Sequence, residues 1–331
     1  MRDLPLFSNL GDDEVDDLPA QAARLAPRLR ALSDEGIYFG TSSWKYEGWL
    51  GSVYSPNRYE TRGKFSKKKF DTECLEEYAQ VFPAVCGDFA FYQFPSAELW
   101  KQLFSDTPDS FLFAFKVPED ITVARWPGHA RYGTKAGTEN PHFLNAAILK
   151  KLFLQPLKPY TKRIASLILE FGTFAKSTFP TPDHFLDRLD DFLADLPGGF
   201  RFSIEIRNPE YLGANYFTLL SSHNVAHVFN AWTRMPELEK QVGMTGVVTA
   251  DHLIARALLS KGRLYEDAVK RFEPYQALKE PNRPARDALC SIANLARQRK
   301  KPAFLFINNR LEGHAPSTIE GTIDLLSGEP L

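Results

Sequence analysis

Eight short apolar segments, separated by helical patterns, constrain the fold of this chain more than any other feature. Most of them are nearly continuously apolar, which is typical of parallel strands that are buried on both faces. Strands that alternate with helices in this number predict a closed parallel α/β barrel. The segments are GIYFGTSSW (36–44), AVCGDF (84–89), SFLFAFKVP (110–118), ASLILEFG (165–172), RFSIEIR (201–207), AHVFNAW (226–232), HLIARALL (252–259) and PAFLFINNR (302–310).

The connections between these segments include four with apolar residues at helical spacing. In one of them Pro182 stands near the start and Gly198 follows the end, as helix-boundary residues commonly do. Two other connections, 45–70 and 260–285, are long, and long loops in a compact domain are usually functional or disordered. The predicted helices are DTECLEEYAQVF (71–82), PDHFLDRLDDFLADL (182–196), ARDALCSIANLARQR (285–299) and STIEGTIDLL (317–326).

Length and composition fit one barrel domain, 36–331, preceded by an acidic N-terminal extension, 1–35, in a chain of 331 residues. The formal net charge of −1 gives no sign of binding to nucleic acid or to a membrane surface. The three cysteines are odd in number and lack metal-ligand spacing, which favours a reducing compartment. Because no segment resembles a signal peptide or a membrane span, we predict a cytoplasmic protein.

Polar side chains follow the apolar part of every predicted strand. The carboxyl-terminal ends of parallel strands meet at one end of a barrel, so we expect these side chains to form one site at that mouth. The period of two places Lys116, Glu205, Arg256 and Asn308 on the inner face of the strands, whereas Asn309 points the other way. In chain order the candidates are Trp44, Asp88, Lys116, Glu170, Glu205, Arg207, Asn208, Asn230, Trp232, Arg256, Asn308, Asn309 and Arg310.

The cations at this mouth predict an enzyme for a small anionic or sugar-like substrate. Arginine presents a planar fork to carboxylate or phosphate, so Arg207 and Arg256, with Lys116, are expected to hold the negative group. Glu205 or Glu170 is the expected general acid or base, and Lys116 is a further catalytic candidate. Hydrolase, lyase and isomerase chemistry all remain open.

Aromatic and amide side chains complete the predicted substrate site. Flat rings provide walls that stack on sugars, bases or aromatic acids, and amides orient a substrate by hydrogen bonds. The free amide groups of the helix that follows Gly313 are a further expected anion site, and His314 is a weaker proton-transfer candidate. The aromatic candidates are Trp44, Tyr46, Trp49, Tyr92 and Trp232, and the amide candidates are Asn208, Asn230, Asn308 and Asn309.

Several other interpretations remain open. The mouth charges could simply pair with one another, or the barrel could bind an anion or a nucleic acid without catalysis, the latter through RGKFSKKKF (62–70). A divalent ion on Asp88, Glu170 and Glu205 is weakly signalled, and no cofactor motif is present. A retaining glycosidase needs two carboxylates about 5 Å apart, but the seventh strand offers Arg256 where related barrels place the second one.

Several segments resemble the domain-of-unknown-function-72 family, the YecE-like proteins. GTSSWKYEGWLGSVYSP (40–56) is similar to the opening pattern of that family, and FAFYQFPSAELWKQLFSDTPDSFLFAFKVPEDIT (89–122), SIEIRNPEYL (203–212) and FINNRLEGHAP (306–316) resemble later ones. The resemblance implies a single TIM-type (β/α)8 barrel whose activity is not established. The positions that match the family patterns are Trp44, Tyr46, Trp49, Tyr92, Lys116, Glu205, Arg207, Asn308 and Asn309.

Five residues depart from the patterns that the resemblance implies. Cys86 and Asp88 stand where Glu and Asn are usual, and Glu170 stands where Gln is usual. Tyr211 and Leu212 replace the usual Trp. An acidic group is therefore lost from the second strand and another is gained on the fourth, so we expect an altered charge arrangement at the mouth.

Overall fold

The computed structural model describes residues 18–328, which contain a closed barrel of eight parallel strands. Each strand pairs with its neighbours along the chain, and β1 pairs with β8 to close the barrel. All eight predicted strands are confirmed, and the TIM-type barrel with them. Two strands end just before the polar residues of their segments, at Asp88 and Asn308, whereas the other strands include at least one such residue. They are β1 Ile37–Thr41, β2 Ala84–Gly87, β3 Leu112–Lys116, β4 Ile164–Phe171, β5 Phe202–Ile206, β6 Ala226–Ala231, β7 Leu253–Ala257 and β8 Ala303–Ile307.

The two faces of the strands have separate apolar packing. The inner cluster fills the barrel with Cys86, Ala114, Ile168, Ile254, Phe306 and their neighbours, whereas the outer residues of the same strands pack under the helices. Successive strand residues point to opposite faces, so the side chains two positions beyond the inner residues emerge at the carboxyl-terminal mouth. The barrel interior is therefore a packed core that supports the mouth from below.

The helices cover the barrel. The predicted apolar face of the helix that follows Thr181 is buried, and Pro182 occupies its first turn. A wider helical turn, Lys150–Leu154, joins two short helices, Ala146–Leu149 and Gln155–Leu157. The helices are α1 Ala20–Asp34, α2 Lys67–Val81, α3 Ala97–Ser105, α4 Glu119–Thr122, α5 Ala146–Leu149, α6 Gln155–Leu157, α7 Pro182–Ala194, α8 Ala214–Ser222, α9 Leu238–Val242, α10 Tyr265–Phe272, α11 Arg283–Arg299, α12 Asn309–Glu312 and α13 Ala315–Ser327.

Three long connections lie at the carboxyl-terminal end of the barrel. The predicted connection 45–70 contains a short antiparallel pair, Glu60–Thr61 with Lys64–Phe65, before α2 begins. The predicted connection 260–285 contains α10. A third, from β3 to α5, was not identified in the sequence because it lacks a clear periodic pattern; it contains α4 and the turn Ala130–Lys135.

The helix α1 packs against the barrel wall, while residues 1–17 of the predicted acidic extension lie outside the described residues. The apolar face of α1, which includes Leu25 and Leu29, is buried, and the helix contacts β1 and α2. Its polar face is fastened to α13, where Arg28 Nη1 lies 2.7 Å from Asp324 Oδ1. None of the helices between residues 18 and 328 combines the length and apolar character that crossing a bilayer requires.

We expect Leu29→Ala to lower the free energy of unfolding by about 2–5 kcal/mol, because it opens a cavity in a fully buried face. Urea denaturation followed by circular dichroism measures this change. The control Arg30→Ala, on the exposed face of the same helix, should change stability by less than about 0.5 kcal/mol. Equal stability of the two variants would show that α1 is not part of the cooperative unit.

Candidate functional site

Five charged side chains at the ends of β3, β4, β5 and β7 form one continuous network. Glu170 lies at its centre: its Oε2 atom is 2.6 Å from Arg256 Nη1, 3.2 Å from Lys116 Nζ and 3.2 Å from Arg207 Nη2. Glu170 and Glu205 are direct neighbours across the β4–β5 pairing. The structure therefore brings together the residues that the sequence placed on separate strands.

Glu205 is the most buried carboxylate of this network, with no exposed side-chain surface. Its Oε1 atom accepts a hydrogen bond from Arg207 Nε at 2.9 Å and lies 2.6 Å from Arg207 Nη2, and its Oε2 atom accepts a hydrogen bond from Arg256. A fully buried carboxylate that is held by cations on both oxygens is poorly placed to contact a substrate. Glu205 is therefore placed as the counter-ion that positions two arginines.

Opposing effects set the pKa values in the network. Burial raises the pKa of Glu170, but Arg207, Lys116 and Arg256 together hold it well below the ordinary value. Burial lowers the pKa of Arg256, but Glu205 and Glu170 are among the groups that hold it well above the ordinary value. Both groups are therefore ionised at neutral pH, which suits Glu170 as a fixed negative charge and not as a proton donor.

Asp88 is the accessible residue of the network, and it lies beside the buried Lys116. Lys116 Nζ lies 3.8 Å from Asp88 Oδ1 and 3.7 Å from the centre of the Phe91 ring. The Asp88 side chain is 43% exposed, compared with 14% for Glu170, and its Oδ1 atom lies 3.7 Å from Arg256 Nη2. Asp88 is therefore the network carboxylate that a substrate reaches most easily.

Aromatic rings surround the mouth, as the sequence predicted, but at different depths. Arg207 stacks at 3.8 Å on Trp232, and Trp44 is buried edge-to-face against Phe89. Tyr46 is half-buried, and burial raises its pKa to about 12, a shift that Arg310 opposes.

Tyr92 is 60% exposed and lies beneath Arg131 of the β3–α5 connection, 4.9 Å from ring to guanidinium. Arg131 is held in turn by Glu119, whose Oε2 lies 2.8 Å from Arg131 Nη2. The contact between Arg131 and Glu119 was not predictable from the sequence, because both residues lie in the β3–α5 connection, which has no clear periodic pattern.

Four predicted binding residues support the mouth. Trp49 is fully buried and donates a hydrogen bond to Asn309 Oδ1, which also accepts from the backbone of Ala315. Asn208 binds the backbone of Phe174 on both sides of its amide, and Asn308 caps α12. Because most of their hydrogen-bonding groups serve the fold, we leave them out of the proposed substrate contacts.

The expected anion site at the start of α13 is wrong, because the chain itself caps this helix. The backbone N–H of Ser317 donates to His314 Nδ1, and that of Ala315 donates to Asn309. Burial lowers the pKa of His314 to about 4, so its imidazole is neutral at physiological pH. Glu312, another candidate acid, forms a buried pair with Arg286.

Buried polar atoms without a hydrogen-bonding partner concentrate at the mouth. Within residues 18–328 there are eleven such side-chain atoms, and seven belong to residues at the carboxyl-terminal end of a strand or within three positions after it. Such atoms are costly to leave unpaired in a native protein, so each needs an explanation. The seven are Ser42 Oγ, Trp44 Nε1, Asp88 Oδ1, Asn230 Oδ1, Arg256 Nε, Asn309 Nδ2 and Arg310 Nε.

A cavity of about 420 Å³ adjoins the mouth between α2 and α3. Its lining includes Trp44 and Phe89, and its charged residues are Lys45, Asp71, Asp88 and Asp106. Asp88 is therefore shared between this cavity and the charged network. A volume of this size is in the range of small-molecule pockets.

Two alternatives from the sequence, nucleic-acid binding and metal binding, can be compared with the contacts in the structure. In the basic segment 62–70, Lys67 pairs with Glu47, and Phe65 packs on the buried Phe70, so nucleic-acid binding stays a sequence prediction. Residues 18–328 contain no cluster of three His, Cys, Asp or Glu side chains arranged to hold a metal ion. The cations that surround Glu170 also oppose the approach of a divalent ion.

The fold and the charged mouth define a TIM-type barrel with a candidate small-molecule site. A family described as "Protein of unknown function DUF72" matches residues 38–330, and the chain belongs to this family. It is 27% identical over 176 residues to the UPF0759 protein YecE of Escherichia coli K12, and equally to that of Escherichia coli O157:H7. The alignments cover 53% of this chain, which spans about half (50%) the length of these curated relatives.

Solved structures share the barrel. A DUF72 family protein from Enterococcus faecalis V583 matches with a TM-score of 0.59 and 16% identity, covering 89% of this chain and 96% of that one. One from Thermotoga maritima MSB8 matches with a TM-score of 0.56 and 17% identity, covering 88% and 98%. At these identities the likeness shows the fold alone.

Two departures from the family pattern lie against the same cations. Cys86 stands on β2 where the resemblance implies Glu, and burial raises the pKa of this thiol to about 12, an effect that Arg256 and Lys116 oppose. Glu170 on β4, where Gln is usual, contacts those two cations directly. Relative to the pattern that the resemblance implies, the carboxylate is therefore on β4 and not on β2, where it contacts Lys116 and Arg256.

We expect Glu170→Gln to make the free energy of unfolding less sensitive to a fall in pH below neutrality. The folded-state pKa of Glu170 lies below its ordinary value of 4.5, so its ionised form contributes stability above that pH. The contribution is lost as the pH falls through the folded-state value. Urea unfolding at pH 7, 5, 4 and 3 should show a smaller loss for the variant than for the wild type. The exposed control Glu239→Gln should follow the wild type; the same pH dependence for Glu170→Gln as for the wild type would contradict the assignment.

Proposed function

We propose that this protein is an enzyme that acts on a small anionic or sugar-like substrate at the carboxyl-terminal mouth of the barrel. The observation that carries the proposal is the concentration of unpaired buried polar atoms around the charged network. A mouth with a purely structural role would be closed more cheaply by apolar groups, because desolvating charges is costly. Hydrogen-bonding groups that the fold leaves unused are suited to a bound substrate.

Lys116 and Asp88 are the proposed catalytic pair. Lys116 Nζ is held over Phe91 near two carboxylates, where it stabilises negative charge that develops on a substrate. Asp88 is exposed enough to accept a proton from the substrate. This arrangement suits reactions that begin with proton transfer beside a developing negative charge, such as hydrolysis, elimination or isomerisation.

Glu170 and Glu205 take the roles of positioning residues in this proposal, which revises their expected role as acid or base. Glu205 holds Arg207 and Arg256 from below, and these hold Glu170. The fixed charge of Glu170 keeps the Lys116 ammonium in place at 3.2 Å. Asn230, whose Oδ1 atom is unpaired, is a proposed substrate contact.

We expect Lys116→Met and Asp88→Asn each to lower turnover by about 10²–10⁴-fold, because each removes one proton-transfer or charge-stabilising group. The assay is ¹H NMR of a panel of phosphate esters, carboxylates and sugars incubated with the wild type, followed by the variants on any substrate that is converted. The controls Lys101→Met and Asp187→Asn alter exposed residues of α3 and α7 and should retain full activity.

Two results would contradict the proposal. Turnover that survives both mouth substitutions would place the chemistry elsewhere. Ligand binding that depends on the mouth, without turnover across the panel, would favour the alternative of a non-catalytic anion-binding protein. The cytoplasmic location, supported by three free cysteines within residues 18–328, stays a prediction.

A further inference from the structure

Two arginines at the mouth are stacked on aromatic rings but differ in the use of their donors. Arg207 lies 3.8 Å over Trp232, and Arg310 lies 4.4 Å over Tyr265. Stacking covers the face of a guanidinium and leaves its in-plane N–H groups for hydrogen bonds. Arg207 gives these groups to Glu205 and Glu170.

Arg310 has no such carboxylate. Within residues 18–328 it forms no salt bridge, and its buried Nε atom has no hydrogen-bonding partner. The nearby Glu312 is taken by Arg286, with Nη2 and Oε2 2.7 Å apart. In the network, the formal charges of Lys116, Arg207 and Arg256 balance those of Asp88, Glu170 and Glu205. Arg310 therefore adds a positive charge that the network does not compensate.

Three tyrosines surround this arginine, and with it they form what we call the Arg310 cluster: Arg310, Tyr46, Tyr265 and Tyr275. The rings of Tyr46 and Tyr275 meet edge-to-face at 5.6 Å. Burial raises the pKa of both phenols, and Arg310 opposes this in both, as expected for hydroxyls close to the guanidinium. The hydroxyls of Tyr46 and Tyr265 form no hydrogen bond within the described part of the chain.

We propose that the Arg310 cluster binds the phosphate group of a phosphate-ester substrate, an inference that rests on the proposed function of the mouth. A phosphate presents three terminal oxygens, which match the guanidinium fork and the phenol donors around it, whereas a carboxylate presents two oxygens. Tyr46 follows Trp44 and Lys45, which line the cavity that Asp88 shares, so the cluster and the catalytic pair lie at the same end of the barrel. A substrate anchored at the cluster is therefore expected to extend toward Asp88.

The test is calorimetric titration of the full chain with inorganic phosphate, with malonate as a dianion that lacks the tetrahedral oxygens. We expect Arg310→Gln to weaken phosphate binding by about 10- to 100-fold, since it removes charge-assisted hydrogen bonds. Tyr265→Phe keeps the stacked ring and should weaken binding by about three- to tenfold. Arg310→Lys keeps the charge without the fork and should be intermediate. The exposed control Arg30→Gln, on α1, should bind phosphate like the wild type.

The outcomes separate this inference from the proposed function. Lys116→Met should lower turnover by about 10²–10⁴-fold and leave phosphate affinity within about twofold, because the ammonium belongs to the other part of the mouth. Wild-type protein that does not bind phosphate, or an Arg310→Gln variant that binds it unchanged, overturns the inference. So does malonate binding that equals phosphate binding and depends on Arg310. If Arg310→Gln fails to fold, Arg310→Lys and Tyr265→Phe decide the result. Phosphate binding at Arg310 without any turnover would overturn only the proposed function.

Discussion

The mouth of this barrel depends on one interaction, the burial of the Glu205 carboxylate between two guanidinium groups. A carboxylate without exposed side-chain surface is tolerated only when it is paired and hydrogen-bonded, so Arg207 and Arg256 must stay where they are. Their remaining donors fix Glu170, which in turn holds Lys116. The position of the Lys116 ammonium is thus determined, step by step, by the fully buried carboxylate of Glu205. Because replacing a buried ionic set by apolar groups is often neutral or stabilising, its presence here is better explained by function than by stability.

The strands and their inner faces were predictable because burial on both sides imposes a simple requirement on sequence. The alternation through Ala114 to Lys116 and through Ile254 to Arg256 then specified which polar side chains reach the mouth. The partners of these side chains were not predictable in the same way. Arg256 meets Glu170 across the barrel, and no local pattern relates two residues that lie so far apart in the chain. The burial of Glu205, which changes its role from acid or base to counter-ion, likewise follows only from the closed barrel.

Loop residues were the other source of difference. The sequence marked 260–285 as long but gave no role to Tyr265 or Tyr275, and it gave none to Arg131 in the β3–α5 connection. Tyrosine and arginine in loops have no periodic signal, so their convergence depends on how the loops fold over the barrel end. Conversely, the helix start after Gly313 looked free in sequence but is capped by side chains that lie just before it. Residue types in the sequence indicate which side chains could form the site. Only the three-dimensional structure shows which of their hydrogen-bonding groups already have a partner.

The pairing of β1 with β8 has a consequence for how the chain assembles. Ile37 is in register with Ala303, so the last strand contact joins residues separated by almost the whole barrel sequence. Loop-closure entropy makes such a contact slow to form. The charged network, whose side chains come from β3, β4, β5 and β7, includes no residue of β1 or β8. Arg256 on β7 nevertheless meets Glu170 on β4 across the interior, so we expect the charged network to be complete only when this last joint closes and α1 and α13 cover it.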